Sequence, residues 1–441
     1  MHRGPFGEQQ ARRLLWRAGF GPRPGQAAKL AELGLDRAVR SLTHPASTRL
    51  TGPAPKDDEG GPLAPRDVWG HDHLWWLDRM VRTEAPLVER MTLVWHDWFA
   101  TSKGGGPTQT MMLRQNALLR RHAFGSFEDL VLEITRDPAM LLWLNGTANS
   151  KWSPNENYAR ELQELFCLGA DQGYSERDVR EIARALTGFR NDWGGAAPSR
   201  FRYDPTLHDA RAKRIYGRRR RWGWQDAVKL VVHHRDHPAF LVRKLWSAFI
   251  PTPPPAATAR ALERLYTRGD RRVRPLVEAI LRHPHLYAAD RRMTKPPVVQ
   301  AAGMLRATGR GIDTDAWAWI CDLAGQLLFA PPNVSGWDER RWLDTATFRA
   351  RWLMATRICE PATLDPKTKP DVPSEPAALV ARALRFWGDP PLSATTRSGL
   401  ERYAAGALAA AHAGWEREQF PVLVVNAVRM LIAVTPDELT S

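Results

Sequence analysis

The sequence contains only three cysteines in 441 residues, and they lie far apart at Cys167, Cys321 and Cys359. None belongs to a Cys-x-x-Cys pair, and each has apolar, helix-like surroundings. Disulfide frameworks and zinc fingers both need several cysteines at short, regular spacing. The cysteine pattern therefore excludes a disulfide framework and a cysteine-based zinc finger.

Long apolar runs are also missing. No stretch approaches the roughly 20 apolar residues that a membrane-spanning helix needs. Residues 1–7 lead directly into the amphipathic run 11–18, without the apolar core of a secretory signal. From the sequence we expect a cytoplasmic protein with no membrane span.

Acidic side chains are outnumbered by basic ones, 48 against 63, which gives a net charge of +15. An excess of this size favours an anionic partner, such as an acidic polysaccharide, a lipid headgroup or a nucleic acid. No recognisable nucleic-acid module with base-stacking aromatics accompanies the basic residues, so nucleic acid is not expected. The expected partner is an anionic or polar polymer.

Sustained strand patterns are absent as well. Apolar residues recur at helical spacing with no fixed-period repeat, so we predict a mainly α fold built as a multi-helical array. The exception is residues 189–224, whose glycines, arginines and short extended pieces predict a small irregular or hairpin insert. We expect N-terminal helices with a Pro/Gly-rich loop over 1–66, a helical core over 67–360, and a Pro-rich linker with C-terminal helices packed on the core over 361–441.

The densest set of chemically capable side chains lies in residues 152–169. We predict one helix here, with Ser153 as N-cap and Pro154 at the first helical position. Glu156 would complete a capping box, and Gly169 would end the helix. We call this the central helix.

One face of the central helix carries Asn157, Arg160, Glu161 and Glu164. In one interpretation Arg160 and Glu164 form an ordinary pair four residues apart, while Glu161 points to water. In the other, Asn157, Glu161 and Glu164 project into a cleft, where paired carboxylates bind a metal or perform acid–base chemistry. The sequence leaves both open. Glu161 is a candidate catalytic residue, and the other three are candidate binding residues.

Two histidines lie outside this helix. His96 stands among tryptophans, where it is either a satisfied core residue or part of a site. His208 and Asp209 lie in the insert, and Asp209 either caps a turn beside an exposed His208 or ties the loop to the central helix and His96. In the second case Asp209 would also orient His208.

The insert also carries a basic cluster of Arg211, Lys213, Arg214, Arg218, Arg219, Arg220 and Arg221. Such a run is either a solvated loop or a site for phosphate and sulfate groups, and Lys213 is its candidate binding residue. The loop 331–337 has two prolines and ends in Trp337. Because Trp337 offers a large area to bury, we expect it to pack against the central helix and count it as a binding candidate.

Several sequence motifs together resemble those of the family called domain of unknown function 1800. They are residues 95–102 (Trp-His-Asp-Trp-Phe-Ala-Thr-Ser), 116–123, 135–141, 155–162, 208–209 and 331–337. The resemblance covers nearly the whole chain, and Asn-Glu-Asn-Tyr-Ala-Arg-Glu within 155–162 is highly specific. It implies no established activity.

The resemblance also shows two departures. Family members typically read Trp-His-Asn-His-Phe-Ala-Thr-Ser at the first phrase, so Asp97 and Trp98 differ. If the family uses both histidines as metal ligands, this chain lacks one. The resemblance implies export for many relatives and genes encoded beside a sulfatase- or phosphatase-like partner, whereas this N-terminus shows no signal.

Polar sequence motifs that are far apart in the chain and adjacent to loops are typical of an active site on a rigid scaffold. We therefore expect a hydrolase-type enzyme acting on an anionic or polar polymer, with His96, Glu161, His208 and Asp209 around one cleft. Such a set would suit a divalent metal that activates water, or metal-free acid–base hydrolysis. The rival is a non-catalytic binding or scaffolding protein working with the sulfatase- or phosphatase-like partner, in which these residues are caps and buried polar networks.

Overall fold

The structure, a computed structural model, describes residues 4–194, 197–359, 371–411 and 414–441. These ranges are mainly helical, with two small antiparallel sheets, which confirms the predicted fold class. The linker predicted from residue 361 lies largely outside the described residues. No helix in the described ranges is both long and apolar enough to cross a membrane.

The first helices bring the chain to the insert. They are α1 (Glu8–Arg17), α2 (Gln26–Glu32), α3 (Leu35–Thr43), α4 (His71–Arg82), α5 (Pro86–Trp98), α6 (Gln109–Arg121), α7 (Phe127–Thr135), α8 (Pro138–Trp143), α9 (Asn157–Glu161) and α10 (Glu176–Ala185). The later helices follow the insert. They are α11 (Trp224–Val232), α12 (His237–Ser247), α13 (Ala256–Arg268), α14 (Val273–Leu281), α15 (Pro284–Tyr287), α16 (Pro297–Thr308), α17 (Ala316–Leu323), α18 (Thr345–Cys359), α19 (Pro376–Phe386), α20 (Ala394–Ala409), α21 (Trp415–Ala433) and α22 (Pro436–Leu439).

Two apolar cores organise these helices, and α5 lies between them. Trp95 of α5 belongs to the first core, which also contains Phe127 of α7 and Phe166. Leu93 of the same helix belongs to the second core, together with Trp76 of α4. Because successive residues of a helix point in different directions, one helix can serve both cores. Residues on α5 therefore lie at the junction of the two cores.

The insert forms two hairpins, where the sequence predicted a small irregular or hairpin insert. Strand β1 (Phe189–Gly194) pairs with β2 (Ala197–Tyr203), and β3 (Lys213–Ile215) pairs with β4 (Arg218–Arg220), both antiparallel. The second turn consists of Tyr216 and Gly217, both with positive φ, as the tight two-residue hairpin turn requires. The ring of Phe189 packs against Phe201 and Trp224, which holds the first hairpin on the helices.

The central helix begins later than predicted. Its first helical residue is Asn157, and Ser153 instead pairs with Ser150 in an isolated bridge, so the predicted cap at Ser153 is wrong. The side chain of Asn155 accepts a hydrogen bond from the Asn157 N–H at 2.9 Å. After α9 the chain continues as a π-helix over Leu162–Cys167. This helix type is rare in proteins, and where it occurs it often lies at a functional site. Gly169, with φ of 97°, ends it as expected.

Candidate functional site

The structure places the expected site residues in three separate groups. His96 lies on α5 and contacts Trp337, the polar face of the central helix forms the second group, and His208 and Asp209 lie with Lys213 on the insert. No hydrogen bond, ion pair or ring contact between described residues joins one group to another. Nor does the described part of the chain contain three or more His, Cys, Asp or Glu side chains grouped to hold a metal ion. The expected single cleft is therefore not formed by these contacts.

The face of the central helix is dominated by Arg160. Its guanidinium makes two hydrogen bonds to Glu176 of α10, at 2.7 and 2.8 Å, and longer ones to Glu164 and Glu156. This geometry matches the simple pairing interpretation, extended by Glu176. Glu161 is half-buried and makes no hydrogen bond or ion pair with a described residue, and burial together with the charge of Glu164 raises its pKa. Asn157 is exposed.

His96 is packed as an aromatic core residue. Its ring is 2% exposed and lies 5.4 Å from Trp76, 5.4 Å from Trp337 and 5.7 Å from Phe329, measured between ring centroids. Burial lowers the pKa of His96 to about 3, so the ring is neutral near pH 7. Its Nε2 is shut off from solvent with no hydrogen-bond partner among the described residues.

Trp337, at the end of its loop, contacts α5, and its hydrogen bond and ring contact among the described residues do not reach the central helix, against which we expected the loop to pack. The Trp337 N–H donates to Asp97 Oδ1 at 2.9 Å, and the Trp337 ring meets His96 edge to face. Gly336 lies directly against Asp97 with φ of 88°. Because Asp97 precedes the end of α5, this contact fixes the loop at the junction of the two cores. Trp337 is partly exposed and remains a candidate binding residue.

His208 lines an open groove of about 600 Å³. Its other lining residues are Lys151, Trp152, Asp209, Ala210, Arg211 and Arg221. Nδ1 of His208 lies 3.0 Å from the Thr187 carbonyl oxygen and 3.2 Å from the Thr187 hydroxyl. A carbonyl only accepts, so the Nδ1–H tautomer is favoured and the lone pair is left on Nε2. Burial is the main cause that lowers the pKa of His208, which keeps the ring neutral near pH 7.

Asp209 is held by arginines. It is 2% exposed, and its carboxylate accepts hydrogen bonds from Arg184 Nε of α10 at 2.8 Å and from the Arg211 side chain at 2.8 and 3.0 Å. The Arg211 hydrogen bonds are the main cause that holds the pKa of Asp209 far below its ordinary value, and Arg184 adds to them. The loop is thus tied to α10, and not to Glu161 or His96. Thr187, and not Asp209, orients His208.

Lys213, expected as a binding residue, is fully buried. Its ammonium donates to three backbone carbonyl oxygens, those of Asp209, Arg211 and Trp222. An ammonium with three donors is fully used by three acceptors. Lys213 therefore holds the loop together and has no donor left for a ligand.

Sequence reasoning missed a second cavity, of about 360 Å³, next to the loop of Trp337. Arg90 and Asp97 of α5 line it together with Lys244 of α12. The spacing of seven residues between Arg90 and Asp97 was a usable signal, because it puts both on one helix face two turns apart. Lys244 carried no such signal, since it lies far away in sequence. Trp152, 71% exposed in the groove of His208, was also not singled out.

The comparison with protein families agrees with the resemblance noted in the sequence. The model of the family described as "Protein of unknown function (DUF1800)" matches residues 13–437. No curated protein and no solved structure gives a significant match. The family match includes α5, the central helix, both hairpins of the insert and the loop that ends in Trp337. Since it spans nearly the whole chain, the chain belongs to the DUF1800 family.

Proposed function

We propose that this protein is a hydrolase-type enzyme that acts on an anionic polymer in the groove of His208. The observation that carries the proposal is a histidine that is held through Nδ1 by Thr187 at the wall of an open groove with cationic side chains. Geometry of this kind presents an unprotonated imidazole nitrogen to a ligand at neutral pH. Asp209 has no part in the chemistry, because its carboxylate is paired with two arginines.

The groove is suited to recognising a polymer. Trp152 is 71% exposed, and the Lys151 ammonium lies 4.6 Å from its ring centroid. The Lys151 N–H donates to the Leu207 carbonyl at 2.8 Å, which fixes this loop beside His208. An exposed indole offers a flat apolar face to a sugar ring, while Lys151 and Arg211 attract carboxylate or sulfate groups.

The chemistry assigned to His208 is general base catalysis. Nε2 takes a proton from a water molecule as the water oxygen bonds to the electrophilic centre of the substrate. The resulting imidazolium then returns the proton to the leaving group, so the ring ends neutral. Arg211 and Arg221, both exposed at the groove, would stabilise the negative charge that develops in the transition state. Removing a positioned base of this kind typically lowers a rate by about 10²–10⁴-fold.

A second candidate function is a non-catalytic binding protein that works with a sulfatase- or phosphatase-like partner. Asp209 favours this candidate. It is the carboxylate among the lining residues of the groove, and its pairing with two arginines leaves it unable to act as an acid or base. Glu161, whose pKa is raised, does not line the groove. Binding of a polymer needs the cationic and aromatic residues, whereas cleavage also needs His208 as base.

We expect His208→Ala to abolish cleavage while leaving polymer binding in place. The measurement combines retention on immobilised heparin with release of reducing ends from polygalacturonate, hyaluronan and heparin. Rates should fall by about 100-fold or more in His208→Ala, and retention should change little. His233→Ala is the matched control, because His233 is an exposed histidine paired with Glu128 outside the groove. Cleavage that survives unchanged in His208→Ala contradicts the assignment of His208 as the base, and retention without cleavage in the wild type supports the binding protein.

We expect Trp152→Ala to weaken retention in both candidate functions. The indole has few contacts to lose on the protein, so folding should be unaffected and the loss should lie in binding. Trp69→Ala, at a tryptophan that is 60% exposed elsewhere, is the control. Stacking on an aromatic side chain is worth up to about 1.5 kcal/mol in double-mutant cycles, so binding should weaken by up to roughly tenfold. Equal retention of Trp152→Ala and wild type at every salt concentration would remove the groove from both proposals.

A further inference from the structure

The cavity of Arg90 is a separate feature that the proposed function does not use. It lies between α5, α12 and residues 337–342, with a volume of about 360 Å³, and shares no lining residue with the groove of His208. Pockets for small ligands start at about this size and combine apolar walls with a few polar groups. This cavity has both.

Arg90 is buried without the partners that a guanidinium needs. It is 5% exposed and makes no hydrogen bond with any described residue, and its Nε and Nη1 are shut off from solvent without an acceptor. Arg306, which is 2% exposed, shows the usual arrangement, because its guanidinium donates to the carbonyl oxygens of Gly21 and Val81. A buried charged donor without an acceptor is strongly unfavourable. Arg90 therefore has no acceptor among the described residues of the protein, and a ligand can supply one.

Two further charged groups face the cavity. The Lys244 ammonium donates to the Leu165 carbonyl at 2.9 Å and lies 4.5 Å from the centroid of the Trp98 ring, which leaves it with further donors. Asp97 accepts from the Trp337 N–H through Oδ1. Burial lowers the pKa of Lys244 to about 8 and raises that of Asp97 to about 6. Both are mainly charged at pH 7, so the cavity carries two positive charges against one negative charge.

The rim of the cavity adds little to this balance. Asp338 and Arg340 pair with each other at 2.9 and 3.0 Å, and Glu339 is exposed. Exposed charges of this kind are screened by water and salt. The interior therefore has one net positive charge, which matches an anion that carries a single negative charge.

The apolar lining of the cavity determines which shape and polarity the body of the ligand can have. The apolar lining comes from Trp98, Trp337, Trp342, Leu93 and Met293. Indole rings favour flat, apolar or ring-shaped bodies. The planar fork of a guanidinium matches a carboxylate, which can accept two parallel hydrogen bonds from it. We propose that this cavity binds the carboxylate group of a small organic anion, with Arg90 as its main partner and the tryptophans around its apolar body.

The test is calorimetric titration of the full chain with benzoate, which carries one carboxylate on a flat ring. Benzoate should bind the wild type, and benzamide, its neutral analogue, should bind much more weakly. Arg90→Gln should weaken benzoate binding by about tenfold or more, the usual effect of losing a charge-assisted hydrogen bond. Arg268→Gln, at an exposed arginine that does not line the cavity, is the matched control and should bind like the wild type. Equal binding in Arg90→Gln and wild type, or no benzoate binding in the wild type, overturns the proposal.

Inorganic phosphate and benzenesulfonate serve to test the chemical class. Tighter binding of either one than of benzoate overturns the carboxylate assignment. Loss of folding is not expected in Arg90→Gln, because the substitution removes a buried charge that has no acceptor in the ligand-free protein. The melting temperature of ligand-free Arg90→Gln should equal or exceed that of the wild type.

A second variant keeps the proposal testable if Arg90→Gln does not fold. Asp97 becomes charged as the pH rises through about 6, and its charge then repels a carboxylate in the same cavity. Wild-type affinity for benzoate should therefore fall as the pH rises from about 5 to 7. Asp97→Asn should remove this fall, since Arg90 stays charged, Lys244 titrates higher, and Glu339 is exposed at the rim. A pH dependence that is identical in Asp97→Asn and wild type overturns the proposal.

Discussion

Glu89→Gln should lower the free energy of unfolding by about 3 kcal/mol, the low end of the range for breaking a buried ion pair. Glu89 of α5 is 1% exposed and accepts from three side chains: Arg120 at 2.7 and 2.8 Å, Arg79 at 3.1 Å and Trp76 at 3.1 Å. Removing its charge leaves Arg79 and Arg120 without a counter-charge. The lower end of the range applies because 21% of the Arg79 side chain and 16% of the Arg120 side chain reach solvent.

The contribution of Glu89 to the free energy of unfolding should decrease in acid. Burial by itself would raise the pKa of Glu89, but Arg120 and Arg79, with the Trp76 N–H, outweigh burial and lower it. A carboxylate with a lowered pKa in the folded state stabilises the protein above its unfolded pKa of about 4.3. The stabilisation is lost as the pH falls through the folded pKa. Glu89→Gln should therefore differ most from wild type near neutral pH and least in acid.

Urea unfolding followed by tryptophan fluorescence measures the effect of Glu89→Gln. Glu176→Gln is the matched control, because Glu176 also pairs with an arginine, Arg160, but 65% of its side chain is exposed. Exposed pairs contribute about 0–1 kcal/mol, so the control should unfold close to the wild type. If both variants lose the same stability at neutral pH, the buried network around Glu89 does not have the assigned role.

Local sequence signals were sufficient for the fold class and the insert. Helical spacing of apolar residues and the turn residues of the hairpins act over a few positions, so the sequence alone predicts them. The start of the central helix depended on distant contacts. The Lys151 N–H bonds to the Leu207 carbonyl, and Asn155 N–H bonds to the Asn149 side chain, which holds 151–155 out of the helix. A capping signal at Ser153 carries no information about these partners.

The candidate sites were less predictable, for the same reason. The sequence singled out His208 and Asp209, but their partners, Thr187 and Arg184, come from the end of α10 and from α10 itself. Arginine is common in this chain, so no single arginine could be chosen in advance as the partner of Asp209. The cavity of Arg90 needs Lys244 from α12, and only the fold brings them together. The sequence shows which chemically capable side chains are present, but it does not show which distant residues they contact in the fold.

The loop that ends in Trp337 closes one side of the cavity, and its position depends on Gly336. A Cβ atom at Gly336 would lie 2.2 Å from Asp97 Oδ1 and 2.8 Å from the Asp97 carbonyl oxygen. Both distances are far below van der Waals contact, and the carbonyl belongs to the backbone of α5, which cannot move aside without breaking the helix end. The residue also has φ of 88°, a conformation that side chains disfavour. Only glycine allows this approach.

Gly336→Ala should therefore destabilise the protein by about 2–5 kcal/mol, the sum of about 1–2 for the positive φ and about 1–3 for the steric overlap. Gly309→Ala separates the two contributions, because Gly309 at the end of α16 also has positive φ, 68°, but has open space where its Cβ would lie. Urea unfolding of Gly309→Ala should show the backbone cost alone. Pushing the loop away should also break the Trp337 N–H bond to Asp97, so benzoate binding should weaken in Gly336→Ala and not in Gly309→Ala. Equal destabilisation by the two substitutions would mean that the loop can shift without cost, and that its contact with α5 does not shape the cavity.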